Sequence, residues 1–355
     1  SSYMNPEEFA EFQSDTEGQF AGIGVEVDVR DDRVTVVAPI DGSPAAKAGV
    51  LPGDQILAVN GRPVRGTKIE RIVDLMRGEP GTTVRVLIGR SGVDEPISLE
   101  ITRAVVRVAS VEGKRLEGGV AFIRLKQFQE STHEELLRVV ADLRKQSPAP
   151  IERVLLDMRY NPGGLVDQAE LVADEFMPRG VIYSTRHRGS VLDVVEATAG
   201  GALSRAKVVI LVNEYSASAA ELVAGALQDQ GRAKVVGTVT FGKGSVQTIF
   251  ELPGGAGLRL TTMRYYTPNG RAIQAQGIDP DVLIQPAKAT DPIRERDLDG
   301  HLEAEAKVAS RPNQEVVVAP ASTAQPTVRL SDVPQNPATG KDFALAKAYE
   351  VVLRD

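Results

Sequence analysis

From Val120 onward, short apolar runs alternate with longer helical stretches, and this alternation constrains the fold more than any other feature of the chain. Residues 120–125, 154–158 and 208–212 have the length and apolarity of buried strands, with a helix expected over 131–145 and another after Gly164. Strands that recur after helices need crossover connections, so the spacing predicts an α/β core with a largely parallel sheet. Ser131-Thr132-His133-Glu134 has capping-box spacing at the first helix. A further run of strands is expected from Lys234 to Tyr266. Beyond Pro286 the chain is charged, then rich in Ala, Pro, Gln and Thr from Arg311 to Thr327, which predicts a surface loop or linker. Residues 341–353 read as a closing amphipathic helix.

Upstream the rhythm is different. Asn5 caps a short helix over 6–13, with Pro6 at its first position. From Gly22 to Arg103, short strands and turns enclose two helices. Ile23, Val25, Val27 and Val29 keep the two-residue period of a half-buried strand. Ser43-Pro44 followed by Gly49 brackets one short helix, and Asn60-Gly61 marks a tight turn. The chain therefore divides into an N-terminal helical or hinge segment at 1–20, a small β-rich domain at 21–104, an α/β core at 105–286 and a C-terminal segment at 287–355. The overall class is α/β, multi-domain.

Composition removes several chemistries. The chain has no cysteine, which excludes a thiol nucleophile, a disulfide and a cysteine-held zinc. Its histidines, His133, His187 and His301, lie far apart in polar surroundings, read as solvent-facing, and make no metal-ligand spacing, so no metal and no cofactor are expected. Any acyl chemistry would use a base other than histidine. A net charge of −7 without a basic block argues against a nucleic-acid partner. No apolar run approaches the ~20 residues of a membrane-crossing helix. The opening Ser1-Ser2-Tyr3-Met4 reads as a truncated start from which targeting information has been removed.

The segment Leu211-Val212-Asn213-Glu214-Tyr215-Ser216-Ala217-Ser218-Ala219-Ala220-Glu221 takes an apolar strand through small residues into a helix. A serine at such a turn stands beside helix N-terminal amides, which can stabilise an oxyanion. A cap and tight packing would explain the same residues. Lys243 lies between glycines in Gly242-Lys243-Gly244-Ser245-Val246-Gln247, 243 − 218 = 25 residues on. Together these two blocks resemble the carboxyl-terminal processing peptidases, or tail-specific proteases. Leu156-Asp157-Met158-Arg159-Tyr160-Asn161-Pro162-Gly163-Gly164, Tyr266-Thr267-Pro268-Asn269-Gly270-Arg271 and Gly277-Ile278-Asp279-Pro280-Asp281 match further blocks of that family in order. Gly22-Ile23-Gly24-Val25 and the run from Ser43 to Asp54 resemble a PDZ domain of bacterial proteases.

The resemblance implies a crotonase/ClpP-like α/β protease core carrying an inserted PDZ domain. It implies Ser218 as nucleophile, Lys243 as general base and Gln247 as its orienting partner, with the amides of Gly164 and Ala219 as oxyanion donors. Gly22, Ile23, Gly24 and Val25 would receive the C-terminal end of a protein substrate by strand addition. Arg77 matches a family arginine that couples the PDZ domain to the active site, although a helix-terminal surface cation would look the same. An adaptor lipoprotein, self-association and an extracytoplasmic, periplasmic location follow from the same resemblance. Two departures stand out: Glu214-Tyr215 occupies a stretch where the family often has two glycines, and the family's upstream helices precede Ser1. The alternatives are a non-catalytic binder of hydrophobic ligands or peptides, which the presence of both Ser218 and Lys243 argues against, a crotonase-like acyl-CoA enzyme, which the PDZ domain argues against, and a PDZ scaffold, which leaves the rest of the chain unexplained.

Overall fold

The computed structural model describes residues 1–30, 33–147, 149–187, 190–286, 292–304, 314–320, 327 and 329–354. They form two compact units, one of Ser1–Thr16 with Ala109–Asp355 and one of Glu17–Val108.

The larger unit is built on a seven-stranded sheet in the order Val111–Arg115, Val120–Leu125, Arg153–Asp157, Lys207–Val212, Ala233–Gly237, Val282–Gln285 and Glu315–Val318. All pairs after the first are parallel. The central strands are buried on both faces, which explains their unbroken apolar runs. Ala121, Ile123 and Leu125 join one core with the helices Thr132–Lys145, Val166–Phe176 and Ala219–Asp229. Val120 and Phe122 join the other core with Phe343–Leu353. Helix Ala219–Asp229 is buried almost all round, as its apolar sequence requires.

Several expectations need correction. Residues 234–266 do carry a run of strands, but it divides between two sheets. Ala233–Gly237 belongs to the parallel sheet, whereas Ser245–Leu252 and Ala256–Tyr266 form an antiparallel sheet with Gly180–His187, Ser190–Ala197 and Ser2–Met4. The expected linker over 311–327 lies partly outside the described residues, and within it Glu315–Val318 is a strand, drawn onto the sheet edge by its three valines. Ser131 makes no side-chain cap; its hydroxyl donates to Glu135 instead. His133 is not solvent-facing, because its Nε2 lies 2.8 Å from Glu175 between two helices. The first helix runs Pro6–Glu17, longer than its sequence pattern suggested.

A buried ion cluster ties the C-terminal helix to the sheet. Arg159 bonds Asp157 through Nε and Nη2, and its Nη1 reaches both Asp342 oxygens at 3.1 and 2.8 Å. Arg124 completes the set at 2.8 Å from Asp157. Asp342 also caps Phe343–Leu353 by accepting from the Leu345 amide. Two cations and two anions balance here, so none is left buried without a partner.

The smaller unit has a five-strand antiparallel path, Val25–Arg30, Arg33–Pro39, Gln55–Val59, Thr83–Gly89 and Ile97–Thr102. Gln19–Gly22 pairs with Ala104–Arg107, bringing the two ends of the unit together. Helix Ile69–Met76 puts Ile72 and Met76 into a core with Ile23, Val36 and Ile88. Gly24 has φ +74, and a Cβ there would lie 2.4 Å from the Ser43 Cβ, so glycine is required. The Ser43 hydroxyl donates to the Gly24 carbonyl and accepts from the Ala46 amide, which links the glycine turn to the short helix Pro44–Lys47.

Replacing Asp342 with alanine removes a partner from a buried arginine and a cap from a helix, and should cost about 3–4 kcal/mol. Urea unfolding followed by circular dichroism measures this. A loss below about 1 kcal/mol would mean that the cluster does not hold the C-terminal helix.

Candidate active site

Three adjacent parallel strands, Arg153–Asp157, Lys207–Val212 and Ala233–Gly237, release their loops from the same carboxyl edge. Those loops carry Gly163 and Gly164, then Ser218, then Lys243. Open α/β sheets place ligands at this edge.

Ser218 starts helix Ala219–Asp229 with φ 54 and ψ −115. This backbone costs a serine about 1–3 kcal/mol and needs holding by its surroundings. Glu221 supplies much of the hold. Its Oε2 accepts the Ser218 amide at 2.8 Å and the Lys243 amide at 2.8 Å. Its Oε1 accepts the Gly242 amide at 2.7 Å and the Thr240 hydroxyl at 2.5 Å. One carboxylate thus ties together the two segments that the sequence singled out. Burial pushes its pKa up to about 7, while the four hydrogen bonds pull the other way.

Lys243 is half-buried, and among the described residues its ammonium has no hydrogen-bond or ion-pair partner. Burial lowers its pKa and Arg259 adds to the fall, against smaller opposing effects of Glu295 and Glu221. Gln274 braces the neighbouring backbone, accepting the Gly244 amide and donating to Glu295. Gln247 lies just past a register shift opposite Ala256–Tyr266, half-buried, and no hydrogen bond joins it to Lys243.

Gly163 packs on the serine: a Cβ there would sit 2.8 Å from the Ser218 Cβ and 3.0 Å from the Ala219 nitrogen. Its amide donates to Asn161 Oδ1, and its carbonyl accepts from Phe128. Gly164, at φ +135, lies against Phe128, whose carbonyl a Cβ would meet at 2.1 Å. Among the described residues, the amides of Gly164 and Ala219 have no protein acceptor. Asn213 joins the two loops, its Oδ1 accepting the Tyr160 amide at 2.9 Å and the Tyr215 amide at 3.3 Å. Tyr160 has φ 60, a left-handed backbone that costs a tyrosine about 1–2 kcal/mol.

In the smaller unit, Gly22 to Val25 precede and begin the outer strand of the sheet. A Cβ on Gly22 would meet the Met76 carbonyl at 3.4 Å, so this loop lies at the C-terminal end of Ile69–Met76. Arg77 ends that helix, its guanidinium 5.7 Å from the Phe20 ring centre. Glu221, Thr240, Gln274, Asn161 and Asn213 were not assigned roles from sequence. Glu221 had a readable signal, the Ser218-Ala219-Ala220-Glu221 capping-box spacing.

A strained serine, a desolvated lysine and two amides without protein acceptors thus lie at one sheet edge of a mixed α/β core. The sequence profile of Peptidase family S41 matches residues 119–284, and a PDZ domain profile matches residues 35–90. The chain is 44% identical to a carboxy-terminal-processing protease of Bartonella bacilliformis, over 80% of this chain and 66% of that one. It is 38% identical to a Staphylococcus aureus protein named a CtpA-like serine protease, over 81% of this chain and 57% of that one. A solved S41 protease from Bacteroides fragilis shares the fold, with TM-score 0.52, 20% identity and coverage of 74% of this chain and 75% of that one. The chain belongs to the serine-type C-terminal processing protease family, S41, with a PDZ domain. It spans only 57–66% of the length of these two curated relatives.

Glu221 holds its proton more tightly in the fold than in the unfolded chain. Its contribution to stability is therefore greatest below about pH 4.5 and falls as pH rises to about 7. Relative to Glu221→Gln, the wild type should lose about 3 kcal/mol across that window, read from urea midpoints at several pH values. Parallel profiles for the two proteins would mean that the carboxyl does not titrate there.

Proposed function

We propose that the chain is the catalytic part of a serine endopeptidase in which Ser218 is the nucleophile, Lys243 the base, and the PDZ unit receives the C-terminal ends of protein substrates. The observation that carries this reading is Glu221 Oε2 accepting the amides of both Ser218 and Lys243 at 2.8 Å. A shared acceptor sets the two backbones close together before substrate arrives.

The neutral Lys243 amine takes the Ser218 hydroxyl proton as Oγ bonds the scissile carbonyl carbon. The carbonyl electron pair moves onto oxygen, where the Gly164 and Ala219 amides donate to it. The lysine ammonium returns its proton to the leaving amine as the C–N bond breaks. Water then attacks the acyl-enzyme by the same route. Lys243 suits this because burial disfavours its ammonium. Gln247 is assigned to orient the lysine in the substrate complex.

Strand Val25–Arg30 pairs on one side with Arg33–Pro39 and stands outermost in its sheet. A substrate terminus would add along the other side, with its carboxylate at the Gly22–Gly24 turn. On family grounds we place the full protein outside the cytoplasm, in a bacterial periplasm, with an adaptor lipoprotein and self-association. Fractionation of producing cells and affinity capture check those points.

Ser218→Ala and Lys243→Ala should each remove at least 99% of casein cleavage while leaving the circular dichroism spectrum unchanged, roughly the loss expected when a nucleophile or base is deleted. Activity above a few per cent in either folded variant would remove the pair. The active form of Lys243 is deprotonated, so kcat/KM should climb with pH through its lowered pKa and level off below pH 10.5. A kcat/KM that falls as pH rises toward 10.5 would point to another base.

The PDZ assignment is tested by fluorescence anisotropy with a peptide carrying a free or an amidated C-terminus. The amide should bind about tenfold more weakly or worse, since it removes a charge-assisted set of hydrogen bonds. Equal binding would sink terminal recognition. Arg77→Ala should alter cleavage of a protein substrate several-fold while affecting a short peptide differently. Wild-type rates on both would leave Arg77 as a packing residue over Phe20.

A further inference from the structure

Tyr160 and Tyr215 stack on each other with ring centres 5.4 Å apart and planes 16° from parallel. Both rings stay open, at 45% and 51% exposure, although tyrosines of a packed α/β core normally bury most of their surface. Neither has a part in the chemistry proposed above. Their backbones are nonetheless fixed: both amides donate to Asn213 Oδ1. Asn213 is itself anchored, its amide donating to the Ser216 hydroxyl, which in turn donates to the Met158 carbonyl. The left-handed φ of Tyr160 is held by that same network. A non-glycine residue kept in that conformation with its ring exposed serves something other than packing.

The place of the pair narrows what that is. Tyr215 stands three residues before Ser218, and Tyr160 three residues before Gly163, which packs on Ser218. Three residues reach at most about 10 Å, and an extended peptide rises about 3.3 Å per residue. The backbones that carry the stack therefore lie within about three substrate residues' length of the bond to be cut. Glu214 lies between Asn213 and Tyr215, with its carboxylate held by the Thr238 hydroxyl. Burial raises the Tyr160 phenol above its ordinary pKa, and the Glu214 charge adds to the rise, so the carboxylate acts on the same surface.

We infer that Tyr160 and Tyr215 form a specificity subsite that takes an aromatic or large apolar side chain of the polypeptide substrate within three residues of the scissile bond, and that Glu214 makes it reject acidic ones. This deepens the peptidase reading and rests on it. A rigid pair of rings offers area at little entropic cost, and the fixed carboxylate supplies the repulsive element that selectivity needs.

A series of matched peptides tests it, each placing Phe, Ala or Asp at one of the three positions on either side of a fixed scissile bond. For each, kcat/KM is measured by mass spectrometry with wild type, Tyr160→Gly, Tyr215→Gly, Tyr215→Phe and Glu214→Gln. Glycine suits the backbone of Tyr160, so that variant should fold, and thermal melts check both. At one position, wild type should prefer Phe to Ala by about tenfold or more. That ratio should collapse toward one in the two glycine variants and persist in Tyr215→Phe. Glu214→Gln should raise the rate on the Asp peptide relative to Ala several-fold. Wild-type cleavage with no position-specific preference, or with a ratio that the glycine variants leave unchanged, overturns the subsite alone. A wild type that cleaves none of the peptides, nor casein, overturns the peptidase reading and the subsite with it.

Discussion

The geometry of the site hangs on one buried carboxylate. Glu221 accepts four hydrogen bonds, from the Ser218, Gly242 and Lys243 amides and the Thr240 hydroxyl. These donors come from two loops that leave neighbouring strands, so the side chain does what no backbone ladder could do there. A buried carboxylate is expensive to hold, and its pKa near 7 shows that burial outweighs the donors. The cost is tolerable because an unbonded alternative would leave three amides and a hydroxyl buried as well. The Ser218 backbone, with φ 54, depends on the same contact.

The rest of the core acts as the frame for that contact. Parallel strands buried on both faces fix the heights at which the three loops begin. Beneath the glycine loop, Arg159 and Asp157 connect it to Asp342 at the start of the last helix. The C-terminal helix is thus bound by charge to the strand that leads into Gly163 and Gly164. Asn161 and Asn213 then align the two loops, one through the Gly163 amide and Leu125 carbonyl, the other through the two tyrosine amides. Backbone polar groups in these loops have no ladder to join, so amide side chains satisfy them.

Much of this was legible in the sequence, and for identifiable reasons. The parallel core was readable because strands buried on both faces leave continuous apolar runs, as 120–125 and 208–212 do. The segments of Ser218 and Lys243 stood out through their resemblance to two family blocks, and their small residues and glycines suit the close backbone approach seen at Gly163 and Gly244. What stayed hidden was mostly long-range. Glu221 meets Gly242 and Lys243 across 21 and 22 residues, and Arg159 meets Asp342 across 183. No local period reports such pairs. The pair Gly180–His187 and Ser190–Ala197 escaped because its outer strand is exposed on both faces and so carries no clean alternation. The edge strand Glu315–Val318 was masked by the Ala- and Pro-rich residues around it, although its valines favour a strand. The Ser131 capping box failed for the opposite reason: the spacing was right, but Glu135 captured the hydroxyl first.

One consequence joins the site to its surroundings. The base role proposed for Lys243 needs its neutral form, which burial and the Arg259 charge favour, and a desolvated lysine has little reason to stay where it is unless the backbone holds it. Here the backbone on both sides is held, at Gly242 and Lys243 by Glu221 and at Gly244 by Gln274. The restraint therefore falls on the main chain, and among the described residues the ammonium itself is left without a partner. A carboxylate paired directly with the ammonium would fix its position equally well but would raise its pKa, against the role proposed for it. Restraining a lysine through its peptide groups keeps position and proton affinity as separate variables. That division of labour explains why the buried acid of this site meets the amide of Lys243 and not its amine.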